Sequence, residues 1–588
     1  MTEIFEKNNN CTNSQASACS AKVEKDDYDP DSLFQKGLAA HQKGEWALAA
    51  LFYKKIIDID PNYSDAFHLL GVINSVQGQN KEAVENIKKA IQISGKGIYF
   101  NSLGVIYLRI GKCQNAIHYF NKALTYDDKL ADIYNNLAQA QLVLGNAFEA
   151  MTNYQKSLHI QSNVPQIVSN YLMCLNYVSL LSAKDIYKAH IRFDTLFRSK
   201  KKIQTSGQRL FNKDLLRIGY VSSDFCQNSV SYFISPVLKN HDLNNFHISC
   251  YANVNQPDKI TQNLQKYPSN WVNTLHMTDD QMAKKIYQDK IDILVDLSGH
   301  FSGNRLGVFA QQPAPVQITY LGYPNTSGLS TIQYRLTDII ADPEEHDAFY
   351  SEQLIRMPQG FLCYQPQTDS PSVSPLPATK NGYITLGSFN NLAKVNATVI
   401  KIWSEILCNL PNARLLLKSR PLSDEETKDY VINKFISHGV DHHQIQCMGF
   451  FDSIEEHLSA YHHVDLALDS FPYNGTTTTC DALWMGVPVI TRLGECHAGR
   501  VGASILSFVG LNDFIADSDE NYISKTIQLC QNLTLLREIR KKLRNLFNTS
   551  PLMDAKQFTK KLEKTYQRLW EKEIADRENK TCHQLQNY

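Results

Sequence analysis

The chain has 588 residues, of which 43% are hydrophobic and 20% charged, with 59 basic and 59 acidic side chains. That length exceeds one domain and points to three or four. A formal net charge of zero gives no whole-molecule attraction to nucleic acid or anionic membrane. No apolar run approaches the ~20 residues that span a bilayer, and the polar start MTEIFEKNNNCTNSQ lacks the apolar core of a secretory signal. A cytoplasmic protein without membrane or nucleic-acid partners is expected. The 13 cysteines are scattered without a C-x-x-C pair, as expected of reduced thiols. The adjacent pairs His442/His443 and His462/His463 do not share the i, i+4 helix face a metal needs, so no metal site is expected.

Residues 1–29 are polar and mixed and read as a disordered leader. Over residues 30–163 a period sets in. The turn glycines Gly44, Gly78, Gly111 and Gly145 are spaced by 34, 33 and 34 residues. Five residues after each comes an alanine: Ala49, Ala83, Ala116 and Ala150. Four further on stand Tyr53, Ile87, Phe120 and Tyr154, and three beyond those Ile56, Ala90, Ala123 and Ser157. This is the tetratricopeptide pattern. The glycine turns the chain between antiparallel helices, the alanine lets them cross closely, and the large residue fills the groove. About four such repeats predict an α-solenoid whose concave face suits a polypeptide; an arm that only dimerises or props up its neighbour is the alternative. Residues 164–207 look helical without the period and are expected to cap the array and lead into the next domain.

After Lys213 the texture changes. LLRIGYVSSDF (215–225), FHISCYAN (246–253), DILVDLSGH (292–300) and PAPVQITYLGYP (313–324) read as buried strands, with amphipathic helices such as DDQMAKKIYQD (279–289) between them. That alternation predicts a parallel sheet covered on both faces over 208–375. The Pro- and Ser-rich stretch 364–381 reads as a linker. The alternation then restarts in a second α/β lobe over 376–588, with YITLGSF, ARLLLKS, QIQCMGF and VDLALDS as strands. Two Rossmann-like lobes imply a ligand cleft at the carboxyl ends of their strands.

Three constellations follow strands. In VDLALDSFPYNGTTTTCDALWMGVPVIT (464–491), four threonines open a helix after Asn474-Gly475. Free N–H groups and the helix dipole suit a diphosphate there, with donors from Thr477 and Thr478, and Asp481 is placed to accept from a ribose hydroxyl. A threonine cap without ligand is the competing reading. In GSFNNLAK (387–394), Lys394 is placed to neutralise a departing phosphate, or is a solvated surface lysine. In SSDFCQNSVSYF (222–233) and DLSGH (296–300), His300 is the candidate for proton handling, or is a helix-capping histidine.

Taken together these segments resemble the O-GlcNAc transferase and SPINDLY family, which joins a tetratricopeptide arm to a two-lobed GT-B transferase. GYVSSDF, DILVDLSGH, PAPVQITYLGYPNTSG, YRLTD, GSFNNLAK, FPYNGTTTTCDALWMGVPV and HAGRVGASIL occur in the family's order, and the resemblance covers about residues 30 to 570. It implies inverting transfer of N-acetylglucosamine from UDP-GlcNAc to Ser or Thr of polypeptides guided by the arm, with no cofactor or metal required. It implies that Lys394 stabilises the leaving diphosphate and that Asn391 touches the donor. By the same match Asn474, Gly475, Thr476, Thr477, Thr478 and Asp481 form the phosphate and ribose site, His457 lies at the nucleobase, and Arg500 matches the arginine of the later segment. His300 and Asn228 are expected to line the acceptor side. Two departures stand out. Asn228 occupies a position where the family has a histidine, and asparagine takes no proton at neutral pH. NGTTTT replaces the NGHTTG of animal-type enzymes. Another donor, GDP-fucose or UDP-glucose, and a scaffold with a degenerate transferase half are therefore the alternatives. A homo-oligomer is compatible with the sequence.

Overall fold

The computed structural model describes residues 29–198, 203, 215–366, 370–451 and 453–586. The leader read over 1–29 lies outside them except for Asp29, as do most of the stretch entering the first lobe and part of the linker. The chain forms two compact units, one of residues up to 144 together with 149–162, the other of 145–148 with 163–588.

The first unit is built from antiparallel helix pairs: α1 (Pro30–Gln42), α2 (Trp46–Ile59), α3 (Ser64–Val76), α4 (Asn80–Ile93), α5 (Gly97–Arg109), α6 (Cys113–Leu124), α7 (Ala131–Val143) and, for most of its length, α8 (Ala147–Ile160). Asp29 starts α1 by accepting from Ser32 N at 2.9 Å, with Pro30 in the first turn. The four turn glycines hold φ of 76° to 82°, a region closed to most side chains. Ala49, Tyr53 and Ile56 of α2, and their counterparts in α4 and α6, are fully buried. A further periodic feature answers them. Gly37, Gly71 and Gly104 leave the space that Tyr53, Ile87 and Phe120 fill, since a Cβ would come within 2.7, 2.6 and 2.6 Å of those side chains. The arm carries a groove of about 710 Å³ lined by Leu69, Val72, Val105, Asn101 and Asn136, and Asn136 Nδ2 donates to Asn101 Oδ1 at 3.1 Å.

The second unit starts with α9 (Pro165–Leu175) and α10 (Ala183–Phe197). Its first lobe runs β1 (Leu216–Ser222), α11 (Ser229–Asn240), β2 (Phe246–Ala252), α12 (Lys259–Leu264), β3 (Asn270–Asn273), α13 (Asp279–Gln288), β4 (Ile293–Asp296), α14 (Leu306–Phe309), β5 (Val316–Thr319), β6 (Tyr334–Thr337) and β7 (Gln353–Arg356). The second lobe continues with α15 (Ala378–Asn381), β8 (Thr385–Ser388), α16 (Ala397–Asn409), β9 (Arg414–Lys418), α17 (Glu425–Ile436), β10 (Ile445–Met448), α18 (Ile454–Ser459), β11 (Leu466–Leu468), α19 (Thr477–Trp484), β12 (Val489–Arg492), α20 (Val501–Val509), β13 (Ile515–Ala516), α21 (Asp519–Gln531), α22 (Leu533–Asn548) and α23 (Ala555–Gln586).

The sheets are seven-stranded, ordered β3-β2-β1-β4-β5-β6-β7, and six-stranded, ordered β10-β9-β8-β11-β12-β13. Their strands pair in parallel, in register Ile218↔Ile293 for β1 and β4 and Leu466↔Leu386 for β11 and β8. In each lobe the chain leaves its first strand to one side and returns to the other, so β1/β4 and β8/β11 are switch points where successive loops diverge and leave a crevice. The tetratricopeptide array followed by two parallel-sheet lobes is thus the fold expected from the sequence. Two helical features pack on the first lobe beyond that expectation. The last helix, α23, packs on the first lobe: Tyr566 Oη lies 3.2 Å from Tyr220 Oη, and Glu563 Oε1 lies 2.9 Å from His241 Nδ1 and accepts from Asp242 N at 2.8 Å. Helices α9 and α10 also pack there, with His190 Nε2 2.7 Å from Tyr323 Oη and Asn176 Nδ2 donating to it at 3.1 Å. Among the described residues no helix is long and apolar enough to cross a membrane.

The glycine-for-bulk match in the arm predicts the outcome of two substitutions. Gly104→Val overfills the space held by Phe120 and should cost about 1–3 kcal/mol, and Phe120→Ala should cost about 3–5 kcal/mol. Both should speed amide hydrogen exchange across α5 and α6 of the full chain; unchanged protection would contradict this packing account.

Candidate active site

A cleft of about 410 Å³ opens between the two lobes of the second unit. Its first-lobe wall comes from the loops after β1, β4 and β5, with Asp224, Asn228, Phe301 and Leu321; its second-lobe wall comes from those after β8, β11 and β12, with Asn391, Lys394, Thr477 and His497. Both switch points therefore face the same space. Leu321 holds a φ of 72° at this edge, a strained conformation for a γ-branched residue that clusters at functional loops.

The second-lobe wall is organised from below by Asp469, at the end of β11. Its Oδ1 accepts from Gly475 N at 2.6 Å and Ser470 N at 2.9 Å, and its Oδ2 accepts from Thr491 Oγ1 at 2.7 Å. Burial pushes this carboxyl up to about 6, against the pull of those donors and of Lys394. The loop it closes brings Asn474 O within 2.7 Å of Lys394 Nζ, which donates to it. The same ammonium sits 3.9 Å above the Tyr473 ring. Lys394 is half-buried, and burial lowers it to about 8 although Asp469 works the other way. Helix α19 then starts without a side-chain cap from Thr476. Thr478 Oγ1 donates to Asn390 Oδ1 at 2.7 Å. Thr477 Oγ1 is buried with no hydrogen-bond partner among the described residues. A buried hydroxyl, a helix start without a side-chain cap and an ammonium in one wall are groups whose chemistry suits an anion.

A second group lies beside this wall. His457 Nε2 is 3.4 Å from Asp481 Oδ2, and Tyr364 Oη donates to Asp481 Oδ1 at 2.6 Å. Lys418, at the end of β9, meets His457 Nδ1 and lies over the Phe389 and Phe451 rings at 5.7 and 5.2 Å. Burial lowers Lys418 to about 8, with Asp481 opposing. Aromatic faces, a partly exposed imidazole and a cation suit a flat heterocycle.

The predicted residues thus separate. Lys394, Asn391, Thr476, Thr477, Thr478 and Asn228 line the cleft, and His457 and Asp481 adjoin it as a pair. Gly475 closes the loop. The Asn474 side chain is fully buried: Nδ2 donates to Ser470 O at 2.8 Å and Oδ1 accepts from Gly502 N at 3.2 Å, so only its carbonyl serves the site. Arg500 lies away from the cleft lining, its Nε donating to Ile340 O at 2.8 Å and Nη1 to Gly494 O at 2.9 Å; it ties the lobes together. His300 is set apart most clearly. It is 1% exposed, with Nδ1 3.0 Å from Ser169 Oγ and Nε2 2.9 Å from Ser327 O, and burial lowers it to about 3. A turn at Gly299, φ 54°, folds its ring back toward α9 and α10. It is a neutral packing residue and not a wall of the cleft. Sequence reasoning missed Asp224, Asn390, Lys418 and His497. Asn390 and Lys418 sit in or beside the predicted strand ends. His497 gains its meaning only from Asp342, 155 residues away in sequence, whose Oδ2 lies 2.6 Å from His497 Nδ1. Among the described residues no three His, Cys, Asp or Glu side chains gather as a metal-binding group.

Comparison with known proteins adds to this geometry. The family model for glycosyl transferase family 41 matches residues 184–368 and 376–562, and tetratricopeptide repeat models match 52–85, 7–64 and 101–165. Among curated proteins, the chain is 38% identical over 423 residues to the probable UDP-N-acetylglucosamine–peptide N-acetylglucosaminyltransferase SPINDLY of Oryza sativa subsp. japonica, covering 71% of this chain and 46% of that protein. It is 34% identical over 372 residues to the corresponding probable transferase SEC of Arabidopsis thaliana, covering 60% and 37%. The chain spans less than half the length of these curated relatives. Among solved structures, a point mutant of Thermobaculum terrenum O-GlcNAc transferase superposes with a TM-score of 0.78 at 27% identity, covering 94% of this chain and all of the other.

The tight loop gives a prediction. A Cβ at Gly475 would lie 2.4 Å from Thr478 Oγ1 and 2.8 Å from Asn390 Oδ1, two atoms hydrogen-bonded to each other, so Gly475→Ala forces those side chains to shift at the start of α19. Titration calorimetry with UDP should show affinity weakened at least about tenfold, or ~1.4 kcal/mol; wild-type affinity would contradict the loop's role.

Proposed function

The chain belongs to glycosyl transferase family 41, and from that membership we propose that it is a protein O-glycosyltransferase moving N-acetylglucosamine from UDP-GlcNAc to Ser or Thr hydroxyls of polypeptides, with inversion at the anomeric carbon. The observation that carries this reading is the anion wall of the cleft, where the unpartnered Thr477 hydroxyl and the Lys394 ammonium meet at the start of α19.

In this reading the diphosphate sits on the N–H groups of α19 and the Thr477 hydroxyl. Lys394 exchanges its bond to Asn474 O for the leaving phosphate, where negative charge grows as the glycosidic bond breaks. Charge compensation is assigned to these protein groups rather than to a metal ion. The base rests among Phe389, His457 and Lys418, with Asp481 toward the ribose. The buried Tyr473 ring and Asp469 beneath Lys394 screen one side of the ammonium from water, which strengthens its field. The acceptor enters from the first-lobe side near Asn228, and positioning does most of the remaining work. The repeat arm, with its groove beside Asn101 and Asn136, holds the polypeptide from which that hydroxyl comes. The reaction is placed in the cytoplasm, where nucleotide sugars meet such polypeptides.

The test is direct. The full chain with UDP-GlcNAc and a peptide library should yield glycopeptides by mass spectrometry, and Lys394→Ala should lower transfer about 10²–10³-fold. Equal product from the variant, or no product from wild type with UDP-GlcNAc, overturns the reading; stabilisation by GDP and not by UDP would show a different donor. Lys394 also sets a pH dependence. Partial burial lowers its ammonium to about 8, and the charged form is the useful one, so kcat/KM should fall as pH rises through about 8. In Lys394→Arg, whose guanidinium stays charged, that alkaline limb should vanish even though overall activity drops.

A further inference from the structure

The transfer leaves one proton without a receiver. Attack by the acceptor hydroxyl releases it, yet position 228 is an asparagine, which accepts no proton at neutral pH, and His300 is sealed from the cleft by Ser169 and Ser327. We propose that Asp224 is the general base of this cleft, its Oδ2 taking the acceptor's proton while Asn228 positions the carboxylate. The proposal rests on the transferase reading above.

Asp224 follows β1 and lines the cleft on the lobe opposite Lys394 and Thr477. In an inverting displacement the nucleophile approaches from the face away from the leaving group, so its base belongs on that opposite wall. The carboxylate is held from one side only. Its Oδ1 accepts from Asn228 Nδ2 at 3.1 Å and Ser223 Oγ at 3.4 Å, and its own N–H donates to Ser222 Oγ at 2.9 Å. Oδ2 has no hydrogen bond to the described residues and no cation among them pairs with it. Burial pushes the carboxyl up to about 6, which brings its basicity toward the working range of a general base. The ionisable groups around it do not compensate: the Cys226 thiol is itself pushed up to about 11, Asp258 is occupied by Gln227 N at 2.7 Å, and Lys394 and His497 belong to the other wall. Asn228 is in turn fixed as the cap of α11, accepting from Val230 N at 3.2 Å.

The step balances. The acceptor oxygen bonds to the anomeric carbon, the bond from that carbon to the β-phosphate oxygen breaks, its electron pair leaves on UDP, and the hydroxyl proton passes to Asp224 and then to solvent.

The test compares wild type with Asp224→Asn as full chains, using UDP-GlcNAc and a peptide acceptor. The expected result is a kcat at least about 10²-fold lower, thermal stabilisation by UDP as in wild type, and loss of the acidic limb of the pH profile. That limb reflects the carboxylate needed in its charged form, so in wild type the rate falls as pH falls through about 6. Asp224→Ala is the second variant: added formate, a carboxylate base small enough for the vacated space, should restore transfer in proportion to its concentration. Wild-type kcat with the acidic limb intact in Asp224→Asn overturns the assignment, as does a folded, UDP-binding Asp224→Ala that formate leaves unrescued. A wild type that binds UDP and transfers no sugar would instead overturn the transferase reading, and this assignment with it.

Discussion

The buried carboxylate of Asp469 is the constraint on which the cleft depends. A carboxylate sealed under a loop is costly unless its lone pairs are met. Here they are met by backbone N–H groups of Ser470 and Gly475 and by the Thr491 hydroxyl. Meeting them bends the chain after β11 so that α19 begins at the cleft without a side-chain cap. The same bend puts Asn474 O under Lys394 Nζ. One buried carboxylate thus fixes a cation and a helix start in one wall of the cleft.

The cleft also depends on how the lobes are joined. Asp342, from the turn after β6, lies 2.6 Å from His497. Burial pushes its carboxyl up, but His497, His346 and Arg335 hold it well below the usual carboxylate range. Ser504 Oγ donates to Asp338 Oδ2 at 2.6 Å, and Arg500 reaches Ile340 O. These polar ties join the turn after β6 to residues 497–504 of the second lobe, while α23 packs on the first lobe. Motion that opened the cleft would have to break charged contacts already desolvated, so the two walls face each other at a defined separation.

Much of this is legible in the sequence because it rests on periodicity and on local chain geometry. The 33–34 residue spacing, the turn glycines and the buried strand runs need only neighbours in sequence to declare themselves. The phosphate loop and Lys394 follow strand ends, where chemistry is expected. What escapes depends on partners distant along the chain or on short elements. β3 is partly exposed and polar, and β13 has two residues; neither carries a run long enough to read. The glycines at 37, 71 and 104 make sense only against the bulk they accommodate on the following helix. Asp224 lies within a recognisable motif, yet its partnership with Asn228 and its open oxygen come from the turn that follows β1. His300 shows the converse: residue type and position after a strand suggest chemistry, and the turn at Gly299 sends the ring toward Ser169 and Ser327, while Arg500, named by the family match alone, hydrogen-bonds the carbonyls of Ile340 and Gly494.

The central claim is that the wall of Lys394 and α19 is built for the diphosphate of a nucleotide sugar. A crystal structure of the full chain with UDP tests it most directly. The account predicts diphosphate oxygens within hydrogen-bond distance of Thr477 Oγ1 and the first amides of α19, with Lys394 Nζ drawn from Asn474 O onto the β-phosphate and the base beside His457 and Lys418. UDP bound elsewhere, or in the cleft with Lys394 still on Asn474 O and Thr477 Oγ1 without a partner, would contradict it.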